Sequence, residues 1–168
     1  LKKYPSNSIV YWDYLINNTL SYFGKYLLKN GAQATPYFTI ILDLDQSETV
    51  LRKNIRKSYK GLINYGERML GIKLLDKDTT TKEDIERFRE LHINEAGRET
   101  RSSKSWELQY EMICQNEAFL ILGDLNQELV SGAFFIFSEK LCYYAIGASK
   151  REMFEIPLSH AIIWKSIL

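Results

Sequence analysis

Apolar residues at Ile9, Trp12, Ile16, Leu20, Phe23 and Leu27 recur at spacings of three and four, the repeat of one helix face. Ser8 stands where a cap belongs and Gly31 where the helix should stop. Tyr11, Tyr14, Tyr22 and Tyr26 fall on the other faces, which predicts a helix covered on more than one side; a surface of that kind also suits a sugar or a peptide. Residues 36–43 are β-branched and aromatic and read as a strand. Ser47 and Glu48 then open a second helix with the stripe Leu51, Ile55, Tyr59 and Leu62. After Gly66 and Gly71, residues 72–75 form a short strand. Thr81, followed by Glu83 and Asp84, opens a helix through Ile85, Phe88, Leu91 and Ala96 that ends at Gly97. Ser103 or Ser105 opens a shorter helix carrying Trp106, Tyr110 and Ile113.

The pattern then changes period. Residues 118–124, 129–137 and 141–147 read as strands, and the turns at 125–128 and 138–140 leave room only for an antiparallel meander. Residues 149–156 form a loop, and Pro157 at a first helical position starts a last helix through His160, Ile163, Trp164 and Ile167. From residue 69 onward the predicted order is strand, helix, helix, three antiparallel strands, helix. The class is α+β, a mixed sheet flanked by helices.

Composition narrows this little. The chain has 168 residues, 45% hydrophobic and 26% charged, a globular mixture with room for a sizeable core. No apolar run approaches the roughly 20 residues of a spanning helix, and no apolar signal core follows the N-terminus. Cys114 and Cys142 lie in apolar stretches without metal-type spacing, which reads as two buried reduced thiols in a cytoplasmic protein. The last apolar segment, 161–168, lacks a partner for its face and predicts an incomplete portion of a longer chain.

Charge matters locally. With 22 basic and 21 acidic residues, the whole molecule carries no polyanion footprint. Arg52, Lys53, Arg56, Lys57 and Lys60, however, place five cations in nine residues with no acid among them. A solvated helix face and a phosphate-binding face are both compatible with that run.

Several motifs in this order carry a resemblance. Asp43-Leu-Asp45, the basic Ile55-Arg-Lys57 helix and its Lys60-Gly61 exit resemble the junction between the two GNAT-like domains of the FemAB family. Tyr143-Tyr-Ala-Ile-Gly-Ala-Ser149 is similar to that family's Tyr-x-x-Gly-Ala-Ser strand end, and Ser159-His-Ala-Ile-Ile-Trp164 resembles the helix after it. The resemblance covers about residues 36–168. It implies that 1–64 hold the end of a first GNAT-like domain plus a basic connecting helix. Residues 65–168 would be the N-terminal half of a second such domain.

The chemistry implied is transfer of an aminoacyl group from aminoacyl-tRNA to an amine of a peptidoglycan precursor peptide. No metal, covalent intermediate or bound cofactor is implied, and contact with a membrane-bound precursor would be peripheral. The alternatives are acyl-CoA-dependent N-acyl transfer and a non-catalytic binding module. CoA-using relatives carry an Arg/Gln-x-x-Gly-x-Gly/Ala loop whose amides cradle the pyrophosphate. Here 147–155 offer one glycine followed by two acids, which leans to the tRNA-using branch.

The site residues follow from the same resemblance. Arg98 and Arg101 would hold a carboxylate or phosphate beside the acceptor, with Glu99 in the same loop; pairing with nearby acids is the alternative. Tyr143 and Tyr144 must face opposite sides of their strand, one toward the core and one toward the reacting groups. Ser149 and Arg151 end that strand. His160 is the better placed proton acceptor and His92 the lesser; both types also serve as packing residues. Glu95 and Glu99 are candidate bases.

Overall fold

A computed structural model describes residues 11, 13, 19–36, 39–153 and 155–168. The chain divides into two compact units, Leu1–Leu42 and Asp43–Leu168. The resemblance implied a division at 64/65, a position that lies within the helix Lys57–Met69.

In the first unit, helix α1 spans Tyr22–Lys29. Residues 9, 10, 12 and 14–18 of the helix expected from residue 9 lie outside the described residues, and the helix that is described begins at Tyr22. Ser21 explains that start. Its hydroxyl accepts from the Gly24 N–H at 3.0 Å, while its own N–H and O–H donate to the Asp13 carboxylate at 3.1 and 2.8 Å. Tyr22 and Tyr26 are exposed, against the expectation of burial. Of the strand expected at 36–43, residues 37 and 38 lie outside the described set. The remainder is not a strand, because it pairs with no other segment, and Ile40, Ile41 and Leu42 are exposed.

The second unit opens with α2 (Glu48–Asn54) and α3 (Lys57–Met69). One continuous basic helix was expected. The backbone turns extended at Ile55 (ψ 135°) and Arg56 (ψ 135°), and the break is stabilised by Lys60, whose Nζ donates to the Lys53 carbonyl at 3.0 Å. That bond satisfies one of the carbonyls a helix end leaves without an internal partner.

The rest follows the predicted order: β1 (Gly71–Leu75), α4 (Lys82–Ala96), α5 (Ser103–Cys114), β2 (Ala118–Leu125), β3 (Glu128–Phe137), β4 (Cys142–Ser149), a 3-10 turn at Arg151–Met153, and α6 (Leu158–Ile167). Thr81 and Asp84 form a reciprocal capping box on α4. Asn126 (φ 51°) and Gln127 (φ 68°) make the tight β2–β3 turn.

The four strands form one antiparallel sheet in the order β1-β2-β3-β4. Both faces are covered. On one, Leu120, Leu122, Phe134 and Ile146 pack with Phe88 of α4 and Trp106 and Ile113 of α5. On the other, Ile121, Ala133 and Phe135 pack with Ile162 of α6. Alternation along each strand sends successive side chains to these two layers. Asp124 joins sheet to helix through Arg87 of α4 at 2.7 Å.

Cys114 and Cys142 are both exposed, not buried. Cys114 lies on an outward position at the end of α5, and Cys142 at the start of the edge strand β4. No described helix is long and apolar enough to cross a membrane.

Candidate functional site

Strand β4 bends at its centre. Phe134 pairs with Ile146 and Phe135 with Tyr144, so Ala145 has no partner across the ladder. Such a bulge re-aims the side chains on either side of it. Tyr143, opposite Ile136, and Tyr144, opposite Phe135, point to opposite faces. Neither is core: they are 63% and 50% exposed. The Tyr144 ring lies 5.3 Å from that of Phe135 and crosses Gly147. A Cβ on Gly147 would fall 1.7 Å from the Tyr144 hydroxyl, so only glycine admits the ring there. Burial pushes the Tyr144 phenol above its ordinary range, so it stays an O–H donor at neutral pH.

The end of β4 meets the C-terminal half of α4. The Ser149 hydroxyl is 2.7 Å from that of Ser131, which is 1% exposed. Lys150 donates to Glu128, which raises its pKa. The Arg151 N–H donates to the Glu95 carboxylate at 2.9 Å, across 56 positions of sequence. Glu95 therefore anchors the turn that leads into α6.

Along the same helix, His92 Nε2 lies 3.2 Å from Arg101 Nη1, and the His92 ring packs edge-on against Trp106 with centroids 5.5 Å apart. Burial first, and the Arg101 charge second, lower the His92 pKa, so the ring is neutral at pH 7 and accepts from the guanidinium. Glu99 is held by Arg89 at 3.1 Å. Arg98 is exposed in the loop between them, without an ion pair among the described residues. The geometry thus brings together Glu95 and Arg151, and separately His92 and Arg101.

His160 does not join either group. Its ring packs 5.4 Å from that of Tyr59 in α3, between the two helices. Arg52 also points inward: it bonds Asn64, pairs with Glu67 at 3.5 Å and covers the Trp164 ring at 4.9 Å. Arg52, Lys53 and Lys60 line a hollow at the α2–α3 break, and Arg56 and Lys57 stand exposed at the break itself. The sequence reading missed this break and the anchoring role of Glu95. Among the described residues, no group of three His, Cys, Asp or Glu is placed to hold a metal ion.

A sheet flanked by helices, with an antiparallel meander whose last strand is bulged, is the architecture of the GNAT-type acyltransferases. Two solved structures agree with that class. FemX matches with a TM-score of 0.57 and 14% identity over 74% of this chain and 47% of its own. An aminoglycoside acetyltransferase, meta-AAC0020, from an uncultured soil metagenomic sample and solved in complex with sisomicin, matches with a TM-score of 0.51 and 15% identity. That match covers 60% of this chain and 68% of the other. At these identities the likeness establishes the fold, and it is the GNAT and FemAB-like fold that the sequence motifs led us to expect. The chain spans about half the length of FemX. No protein-family model and no curated protein matches it.

Proposed function

We propose that this chain belongs to an N-acyltransferase that moves an aminoacyl group from aminoacyl-tRNA to an amine of a cell-wall precursor peptide. The observation that carries the choice of donor is the bond from the Arg151 N–H to Glu95 at 2.9 Å. CoA-using members of this fold need free backbone amides at this turn to cradle a pyrophosphate. Here a carboxylate already occupies one of them, and its charge would repel the phosphates. Acyl-CoA is the alternative donor.

In the reaction, the acceptor amine loses a proton and its nitrogen attacks the aminoacyl ester carbon. The new C–N bond forms, the ester C–O bond breaks, and the ribose hydroxyl leaves with a proton. The oxyanion formed on the way needs a donor, and the protonated Tyr144 phenol at the bulge suits that role. Arg98, exposed in the loop after α4, suits a carboxylate of the acceptor, with Arg101 positioned by His92 behind it. Ser149 and Arg151, where β4 ends, suit substrate contacts, and Tyr143, near the start of the strand, suits a contact at its other end. Lys53, Arg56, Lys57 and Lys60 at the α2–α3 break suit tRNA phosphates, with Arg52 beneath them. His160, packed on Tyr59, is the weaker candidate for proton acceptor.

The test is a transfer assay on the complete natural reading frame, with labelled aminoacyl-tRNA and labelled acetyl-CoA side by side and a lysine-containing precursor as acceptor. Label transferred from tRNA alone is the expected result. Transfer from acetyl-CoA alone would overturn the choice of donor.

A further inference from the structure

The loop between α4 and α5 is fastened to α4 at two points that differ in chemistry. Glu99 is held by Arg89 at 3.1 Å, an ion pair that keeps both charges at any pH above the carboxylate range. Arg101 is held by His92, with Nη1 3.2 Å from Nε2, and its other contact is the adjacent Thr100 hydroxyl at 3.4 Å. It has no ion-pair partner among the described residues.

The second fastening requires a neutral ring. A guanidinium has donors and no acceptor, so Nε2 must accept and the ring hydrogen must sit on Nδ1. Nδ1 is closed off from solvent and meets no partner. A proton added at Nε2 would turn the 3.2 Å contact into donor against donor and charge against charge. The ring would then carry two N–H groups and no acceptor for either. It is packed edge-on at 5.5 Å against Trp106, which is 3% exposed, whereas Arg101 is half-buried on a loop, so Arg101 is the partner that can move.

No other charge offsets this. The loop brings Arg101 to the ring, and α5 brings the Trp106 indole, which does not titrate. Strands β3 and β4 bring Phe134, Ile146 and Ala148 to the same layer. On α4 itself, Arg89 is taken by Glu86 and Glu99, and Glu95 by the Arg151 N–H. Burial first, and the Arg101 charge second, hold the His92 pKa below its ordinary value, so the proton arrives only in mild acid.

We infer that His92 is a proton-sensitive latch on the α4–α5 loop. Neutral, it holds Arg101 against α4. Protonated, it lets residues 100–102 go, while the Glu99–Arg89 pair keeps the start of the loop in place. A weaker grip on an acceptor carboxylate in acid would follow, and that consequence alone rests on the transfer reading.

The test uses the chain with neither donor nor acceptor, so it stands apart from that reading. Backbone amides and histidine ring protons are followed by NMR from pH about 7.5 to about 5, above the range in which carboxylates titrate. The His92 ring signal is assigned by its absence in His92→Gln. The Thr100, Arg101 and Ser102 amides should titrate with that ring, at one midpoint below about 6.5. Across it the Arg101 amide order parameter should fall from about 0.85 to below about 0.6, while that of Glu99 stays high. Glutamine offers the guanidinium an acceptor that does not titrate, so His92→Gln should keep the loop ordered at both ends of the range. His92→Leu offers none and should leave it mobile at both. An Arg101 order parameter that stays high through the His92 midpoint, or an acid response that persists in His92→Gln, would overturn the latch. The wild-type titration decides the matter even where a variant fails to fold.

Discussion

Glu95 shows how one side chain can set the character of a site. It lies on α4, yet its partner is a backbone amide 56 positions away. Replacing it with Ala should release that amide and speed hydrogen exchange at Arg151, read by NMR, with little change in the global melting temperature. Unchanged exchange would remove Glu95 as the anchor. His92 makes a second prediction. Its folded pKa lies below its unfolded value near 6.5, so the unfolded chain binds the extra proton first. The stability His92 contributes is present above pH 6.5 and is lost as pH falls through its folded value. The urea midpoint should therefore drop between neutral and mildly acidic pH, and His92→Gln should flatten that drop. Neither partnership was legible in sequence, because nothing local to Glu95 or His92 marks what will face it.

At the scale of elements, α3 and α6 approach closely enough that only glycine fits at Gly66. A Cβ there would stand 2.8 Å from the Cβ of Ala161. Alanine is ordinarily the better helix former by about 1 kcal/mol. Here the clash decides the sign, and Gly66→Ala should destabilise by about 1–3 kcal/mol, measured as a lower urea midpoint. The β2–β3 turn predicts the opposite. Gln127 holds a left-handed φ of 68° that costs a side-chain-bearing residue about 1–2 kcal/mol. Gln127→Gly should raise stability by roughly 0.5–1 kcal/mol after its greater chain entropy is deducted. An unchanged or lower melting temperature would show that Gln127 makes compensating contacts. The capping box of α4 and this turn were legible in sequence because both are made within a few residues. The α2–α3 break was not. The apolar stripe runs through Ile55 without interruption, and the break is held by the Lys60 side chain reaching back to Lys53.

Across the whole molecule, net charge is nearly balanced, so any affinity for tRNA must come from a local surface. The α2–α3 break offers Arg56 and Lys57 to solvent, whereas Arg52 is held inside by Asn64, Glu67 and Trp164. Arg56→Glu/Lys57→Glu should therefore weaken tRNA binding without unfolding the chain. It should also reduce the slope of log affinity against log salt by roughly 1.5, the share of two phosphate contacts. Fluorescence anisotropy at several salt concentrations measures both. An unchanged slope would remove this surface from the donor site.

The sequence by itself determined the order of elements from residue 69 onward, the antiparallel meander and the ends of α4. Periodicity, capping residues and tight turns act over a few positions and need no distant partner. Tertiary structure alone decided the bulge at Ala145, the inward turn of Arg52, the exposure of both cysteines and the anchoring of Arg151 by Glu95. Each depends on which surfaces meet after the chain folds back on itself. A one-dimensional pattern records which residues are apolar, but not which ones will be neighbours.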